Sequence, residues 1–136
     1  PLMARAVLEN APLLRILALG SEATGDITAP GDAKEIFYGH PVLDRGRVRK
    51  EERAELLRAV YTGIAESDGR RARCFLPRHG IRATHSGHTA DLVVCYECLQ
   101  MRVYLDWTLL ETVFTADAAV AVNEIFSEAR VTVEER

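Results

Sequence analysis

The chain has 136 residues, 48% of them hydrophobic and 27% charged, with a formal net charge of −3. That length suits a single domain able to bury a core of its own, and the composition excludes a disordered chain. No apolar run reaches the roughly 18 to 20 residues of a membrane span, because the best one, Leu13 to Leu19, contains Arg15.

At the N-terminus one arginine is followed by Glu9 and Pro12, which is poor signal-peptide chemistry, so the reading is of a cytoplasmic protein. Pro1-Leu2 ahead of Met3 reads as the remnant of a tag, with Met3 as the expected native start. Residues 3 to 11 predict one or two helical turns closed by Pro12, since the residue before a proline disfavours the helical region. Leu13 to Leu19 is taken as a buried strand, although so short an apolar run also suits a helix. Residues 20–33, rich in Gly, Ser, Thr, Asp and Pro, read as a surface loop within the domain. Lys34 to Tyr38 and Pro41 to Leu43 flank Gly39-His40 as a first hairpin or bent edge strand. In that reading His40 is an exposed turn residue and Pro41 belongs at an edge.

Lys50 to Ser67 is the clearest helix. Ala54, Leu57, Val60, Tyr61 and Ile64 recur at helical spacing, Glu51 and Glu52 suit the positive end of the dipole, and Asp68-Gly69 supplies the stop. Gly63 inside this helix costs about 1 kcal/mol relative to alanine. The periodicity then changes to that of strands. Arg73 to Leu76 predicts a strand, Pro77-Arg78-His79-Gly80 interrupts it, and Ile81 to His85 resumes it before the turn signal Ser86-Gly87. Thr89 to Tyr104 is one long β-prone run. Val93, Cys95, Leu99, Met101, Val103 and Leu105 share an apolar alternation that Glu97 breaks, so a bulge or bend is expected at Tyr96-Glu97. Leu109 to Phe114 is taken as a strand, against a capping box at Thr108 and Glu111 that favours a helix. Ala118 to Ala129 predicts a second amphipathic helix capped by Asp117, and the terminal VTVEER a short edge strand. The sum is an α+β fold, a mostly antiparallel sheet of hairpins covered on one face by the helices at 50–67 and 117–129.

Two constellations carry the candidate chemistry. Cys95 and Cys98 have the Cys-x-x-Cys spacing of a zinc knuckle, and Cys74 with His79 completes a Cys3His set, so the cofactor reading is either none or one structural zinc. His85 and His88 form a rival pair across their turn. The same cysteines, with His79 as base and Asp91 or Glu97 behind it, also fit a thiol- or metal-dependent enzyme. A disulfide from Cys74 to Cys95 or Cys98 is a third state, and buried apolar thiols a fourth. The second constellation is a basic segment: from Arg45 to Arg82 eleven basic residues stand against five acids. Within it Arg45, Arg47, Arg49, Arg70, Arg71 and Arg78 are candidates for an anionic partner. No aromatic residues interleave with these arginines along the sequence, which argues against nucleic acid.

The elements CFLPRHGI and DLVVCYEC resemble those of small bacterial proteins carrying a Cys-Phe-x-Pro-Arg-His stretch followed by an aspartate and a Cys-x-x-Cys. The resemblance spans about residues 35 to 131 and implies a bacterial source and a shared hairpin, with no assigned activity and no catalytic residue. The function expected from the sequence is therefore a non-catalytic binding module of accessory, inhibitor or immunity type. Its expected partner is another protein or a second copy of the chain, with the Cys/His enzyme and the anion or nucleic-acid binder as alternatives.

Overall fold

The computed structural model describes residues 2–20 and 35–134. The loop expected at 20–33 falls outside these residues except for Gly20, which is buried and donates its N–H to the Pro41 carbonyl at 2.8 Å. Helix α1 (Leu2–Asn10) leads into strand β1 (Leu13–Leu19). After β2 (Ile36–Phe37) and β3 (His40–Arg49) comes helix α2 (Lys50–Ala65). Four strands follow, β4 (His79–His85), β5 (His88–Cys95), β6 (Gln100–Leu105) and β7 (Thr108–Phe114), and then helix α3 (Ala119–Glu128). The strands form one antiparallel sheet in the order β2-β3-β1-β4-β5-β6-β7. The α+β class expected from the sequence is the class observed.

All three helices lie on one face of the sheet. Ala4, Val7 and Leu8 of α1, Leu56, Leu57 and Val60 of α2, and Val122, Ile125 and Phe126 of α3 pack on Leu14, Ile16, Ile81, Leu92, Val94, Met101 and Val103. Each helix presents apolar residues three and four apart, the spacing that makes one face. The expected stripe of α2 shifts slightly, with Leu56 wholly buried and Ala54 exposed. Gly63 of α2 is a packing residue, because its carbonyl accepts the Ala116 N–H at 2.8 Å and a methyl there would stand 2.6 Å from Thr115 Oγ1. The N-cap of α3 is Ala118 and not the expected Asp117, which stands one residue ahead and accepts the Ala119 N–H on its Oδ1 at 2.9 Å.

Several expectations are corrected. Asp44 to Arg49, unassigned in the sequence, continues β3, and Pro41 lies within that strand between β2 and β1 rather than at the edge of the sheet. His40 is buried and not an exposed turn residue, because the turn is Tyr38-Gly39. Arg73 to Leu76 is not a strand. It crosses the end of the sheet, tied by the Ala72 N–H to the Cys98 carbonyl at 3.0 Å. The stretch 89–104 is not one strand with a bulge: the chain reverses completely through Tyr96–Leu99, with Leu99 at φ 58. That reversal explains the broken alternation, since Val93 and Cys95 point to one face while Met101 and Val103 point to the other. Residues 131–134 form no strand; Thr132 N–H instead donates to Asp44 Oδ2 at 2.8 Å.

Candidate functional site

Among the described residues no helix covers the other face of the sheet, and the register of the strands composes what it presents. Antiparallel partners directly opposite point to the same side, about 4.5–5.5 Å apart at Cβ. One row therefore reads Arg47, Arg15, Arg82, Asp91, Tyr104, Leu109 from β3 to β7. The row beside it reads Arg45, Leu17, Gly80, Val93, Arg102, Thr112. With Arg49 opposite Leu13, this face carries six arginines among the described residues.

Two carboxylates answer them. Asp91 is fully buried and takes two parallel hydrogen bonds from Arg82, Nε to Oδ1 at 2.8 Å and Nη2 to Oδ2 at 3.0 Å. The Tyr38 hydroxyl donates to Oδ2 of the same carboxylate at 2.6 Å. Burial, and then this bond, push the Tyr38 phenol well above its ordinary range, so it remains a donor. Glu35 lies between Arg15, at 3.5 Å, and Arg45, at 3.3 Å. Among the described residues no carboxylate pairs with Arg47 or Arg49.

Aromatic rings alternate with these charges. Tyr38 and Tyr104 stack with centroids 3.7 Å apart. The Arg82 guanidinium lies 5.1 Å from the Phe37 ring centre and 4.6 Å from that of Trp107, and Arg102 lies 3.9 Å from that of Phe75. Each such contact is worth about 0.5–2 kcal/mol according to its desolvation. The close approach of Phe37 depends on Gly80, whose missing Cβ would stand 2.9 Å from the ring. His40 also lies under Phe75, with ring centres 6.3 Å apart. Burial, and then the charge of Arg102, lower its pKa and keep it neutral.

Trp107 stands apart from the other rings. It is 62% exposed and has φ 73, the left-handed region that a bulky side chain rarely adopts. Three hairpins of this sheet close through two-residue turns: Tyr38-Gly39, Ser86-Gly87 and Asp106-Trp107. Glycine holds the second turn position at Gly39 (φ 87) and Gly87 (φ 78), and a tryptophan holds it in the third. The substitution of tryptophan for glycine costs about 1–2 kcal/mol of backbone strain. Strain of this kind gathers where a side chain is wanted in place.

The sequence candidates are dispersed by the fold. Cys95 and Cys98 are joined to each other by a disulfide, a pairing outside the alternatives read from the sequence, and Cys74 is an exposed free thiol. His79 faces the helices: its ring packs on Phe126 and Tyr96, and Nε2–H donates to Asn123 Oδ1 at 2.6 Å. Cys95 points to the opposite face, so His79 and the cysteines do not converge, and among the described residues no three His, Cys, Asp or Glu side chains form a metal-sized group. His88 binds Asp106 at 2.7 Å. Arg78 is held by Glu97 at 2.8 Å and Glu134 at 3.3 Å, and Arg70 by Asp68 at 2.8 Å. Arg71 lies over Phe114 near the far edge. Only Arg45, Arg47 and Arg49 of the six named arginines share a surface, and the fold adds Arg15, Arg82 and Arg102 to them. Their spacing, two residues apart, was the available signal for a strand face.

The helix face holds an apolar cleft of about 410 Å³ lined by Leu8, Tyr61, Ile64, Met101, Val103 and Val113, remote from these arginines. Among the described residues no helix is long and apolar enough to cross a membrane. Comparison with protein-family models, characterised proteins and solved structures finds no match to this chain.

Proposed function

We propose that this chain is a non-catalytic binding module that takes an anionic partner on the helix-free face of its sheet. The observation that carries this reading is the file of three arginines, Arg47, Arg15 and Arg82, side by side on adjacent strands. Like charges directly opposite one another destabilise a sheet, so this file is a standing cost that an anion relieves. Asp91 neutralises only the last of the three, and Glu35 is shared between Arg15 and Arg45. A face of this kind concentrates anions at its surface and speeds their association.

Retention on immobilised heparin tests the reading. The protein should bind at low ionic strength and elute as salt rises. Arg45→Ser, Arg47→Ser and Arg49→Ser combined should elute markedly earlier while melting no lower than the parent, since the three side chains are exposed. Flow-through of the parent at low ionic strength contradicts the proposal.

A further inference from the structure

We infer that the anionic partner is a single-stranded nucleic acid, and that Trp107, with Tyr104 on the β6 strand of the same hairpin, supplies the stacking surface for its bases. The inference rests on the anion-binding reading above and adds to it the chemistry of the rings. A simple polyanion such as a sulfated glycan requires only the arginines. This face also presents rings among those arginines: Trp107 against Arg82, Tyr104 against Tyr38, and Phe75 against Arg102. A basic surface interleaved with aromatic faces is the arrangement that binds single strands, where every base offers a ring to stack and every phosphate a charge.

The turn at Asp106-Trp107 is the second observation. The two other glycine-bearing hairpin turns show what the backbone prefers at this position, and the tryptophan there is 62% exposed, so most of its ring is left uncovered by the fold. One side of the indole lies on the Arg82 guanidinium, 4.6 Å away. Arg82 in turn is fixed by Asp91, so the indole is held in place rather than free to wander. The row from Arg47 to Leu109 crosses five inter-strand spacings of about 4.8 Å, about 24 Å in all. The buried Asp91 is closed off by Arg82 and Tyr38, so a strand of several nucleotides would run over the arginines and rings and not over the carboxylate. No helix or ribbon projects from this face among the described residues to enter a duplex groove, so the single strand is favoured over the duplex.

The chain has one tryptophan, so its intrinsic fluorescence reports on Trp107 alone. The test titrates the protein at low salt with a labelled DNA or RNA oligonucleotide of about 12 nucleotides, within the span of known single-strand sites. The same oligonucleotide lacking its bases, a duplex of equal length, heparin and poly-glutamate serve as comparisons. The inference predicts binding of the oligonucleotide with quenching of Trp107, and weaker binding of the base-free strand. Trp107→Gly, which relieves the turn strain, should melt no lower than the parent, lose about 5- to 150-fold in oligonucleotide affinity, and keep its heparin affinity within about twofold. Heparin binding without oligonucleotide binding overturns this inference and leaves the anion face standing. Binding of neither overturns both. Poly-glutamate or duplex binding tighter than the single strand, or equal loss of heparin and oligonucleotide binding in Trp107→Gly, also overturns it.

Discussion

Arg82 and Asp91 face each other directly across strands β4 and β5, and the carboxylate, with no exposed surface, receives both guanidinium hydrogen bonds at 2.8 and 3.0 Å. Burial acts against the Arg82 charge, but the bonds and charge of Asp91 more than offset it and the guanidinium pKa is raised. The pair positions everything around it: Tyr38 donates to the same carboxylate, and Phe37 and Trp107 lie on the guanidinium. Removing one partner of a buried pair strands the other, at a cost of about 3–5 kcal/mol, whereas replacing both with apolar residues costs far less. Asp91→Ala should therefore lower stability by about 3 kcal/mol in denaturant unfolding, and the double change Arg82→Met with Asp91→Leu by clearly less. Equal losses in the two would mean that the pair does not act as a unit.

Gly63→Ala offers an opposite sign to intrinsic propensity. In an exposed helix the change gains about 1 kcal/mol. Here the new methyl meets Thr115 Oγ1 at 2.6 Å and the Ala116 carbonyl at 3.3 Å, beneath the start of α3. Overpacking of this kind costs about 1–3 kcal/mol. Thermal unfolding of the variant should show a loss; a gain would mean that α2 and the 115–118 segment part easily.

His79 sets a pH dependence. Its burial, only partly countered by the Asn123 hydrogen bond, lowers its pKa below the ordinary 6.5 in the folded state. The unfolded chain therefore binds more protons below about pH 6.5, so stability is complete above that value and falls as pH drops toward the folded-state pKa. His40, lowered by burial and by Arg102, adds in the same direction. Between about pH 7 and pH 5 the parent should lose stability more steeply than His79→Leu. Asn123→Ala should cost about 1 kcal/mol at neutral pH by leaving the buried ring N–H without its acceptor. Parallel pH profiles for the parent and His79→Leu would show that His79 contributes no part of the slope.

The cysteines make a simple count. Without reductant, one thiol, Cys74, should react with a thiol reagent both in the native state and after unfolding, and three after reduction. Three reactive thiols in the unreduced protein, or two released by a chelator, would contradict the Cys95–Cys98 bridge.

Much of the fold was legible in the sequence because helix and strand periodicities differ. The stripe in α2 and the Ser86-Gly87 turn were both readable from local chemistry. The failures have physical causes. Tyr96–Leu99 carries no glycine or proline, so a complete reversal looked like a bulge. Asp44 to Arg49 lacks apolar alternation because its outward residues are arginines, and the strand was therefore invisible. The candidate site was less legible still. Its charges were partly named, but the rings come from Tyr38, Phe75, Tyr104 and Trp107, spread over about half the chain. The reading that no aromatic residues interleave with the arginines overlooked Phe75, which lies between Arg73 and Arg78. It could not see Tyr38, Tyr104 and Trp107, because cross-strand register and not sequence distance makes these residues neighbours.

The most direct measurement of the central claim is the affinity for inorganic polyphosphate as a function of salt, in the parent and in the combined Arg45→Ser, Arg47→Ser, Arg49→Ser variant. Each arginine withdrawn from a phosphate contact should make the slope of log K against log salt shallower by about 0.7–0.9. The predicted result is tight binding by the parent at low salt and a slope shallower by about 2–3 in the variant. No binding by the parent at low ionic strength, or identical slopes for the two proteins, would contradict the assignment of the helix-free face as an anion-binding surface.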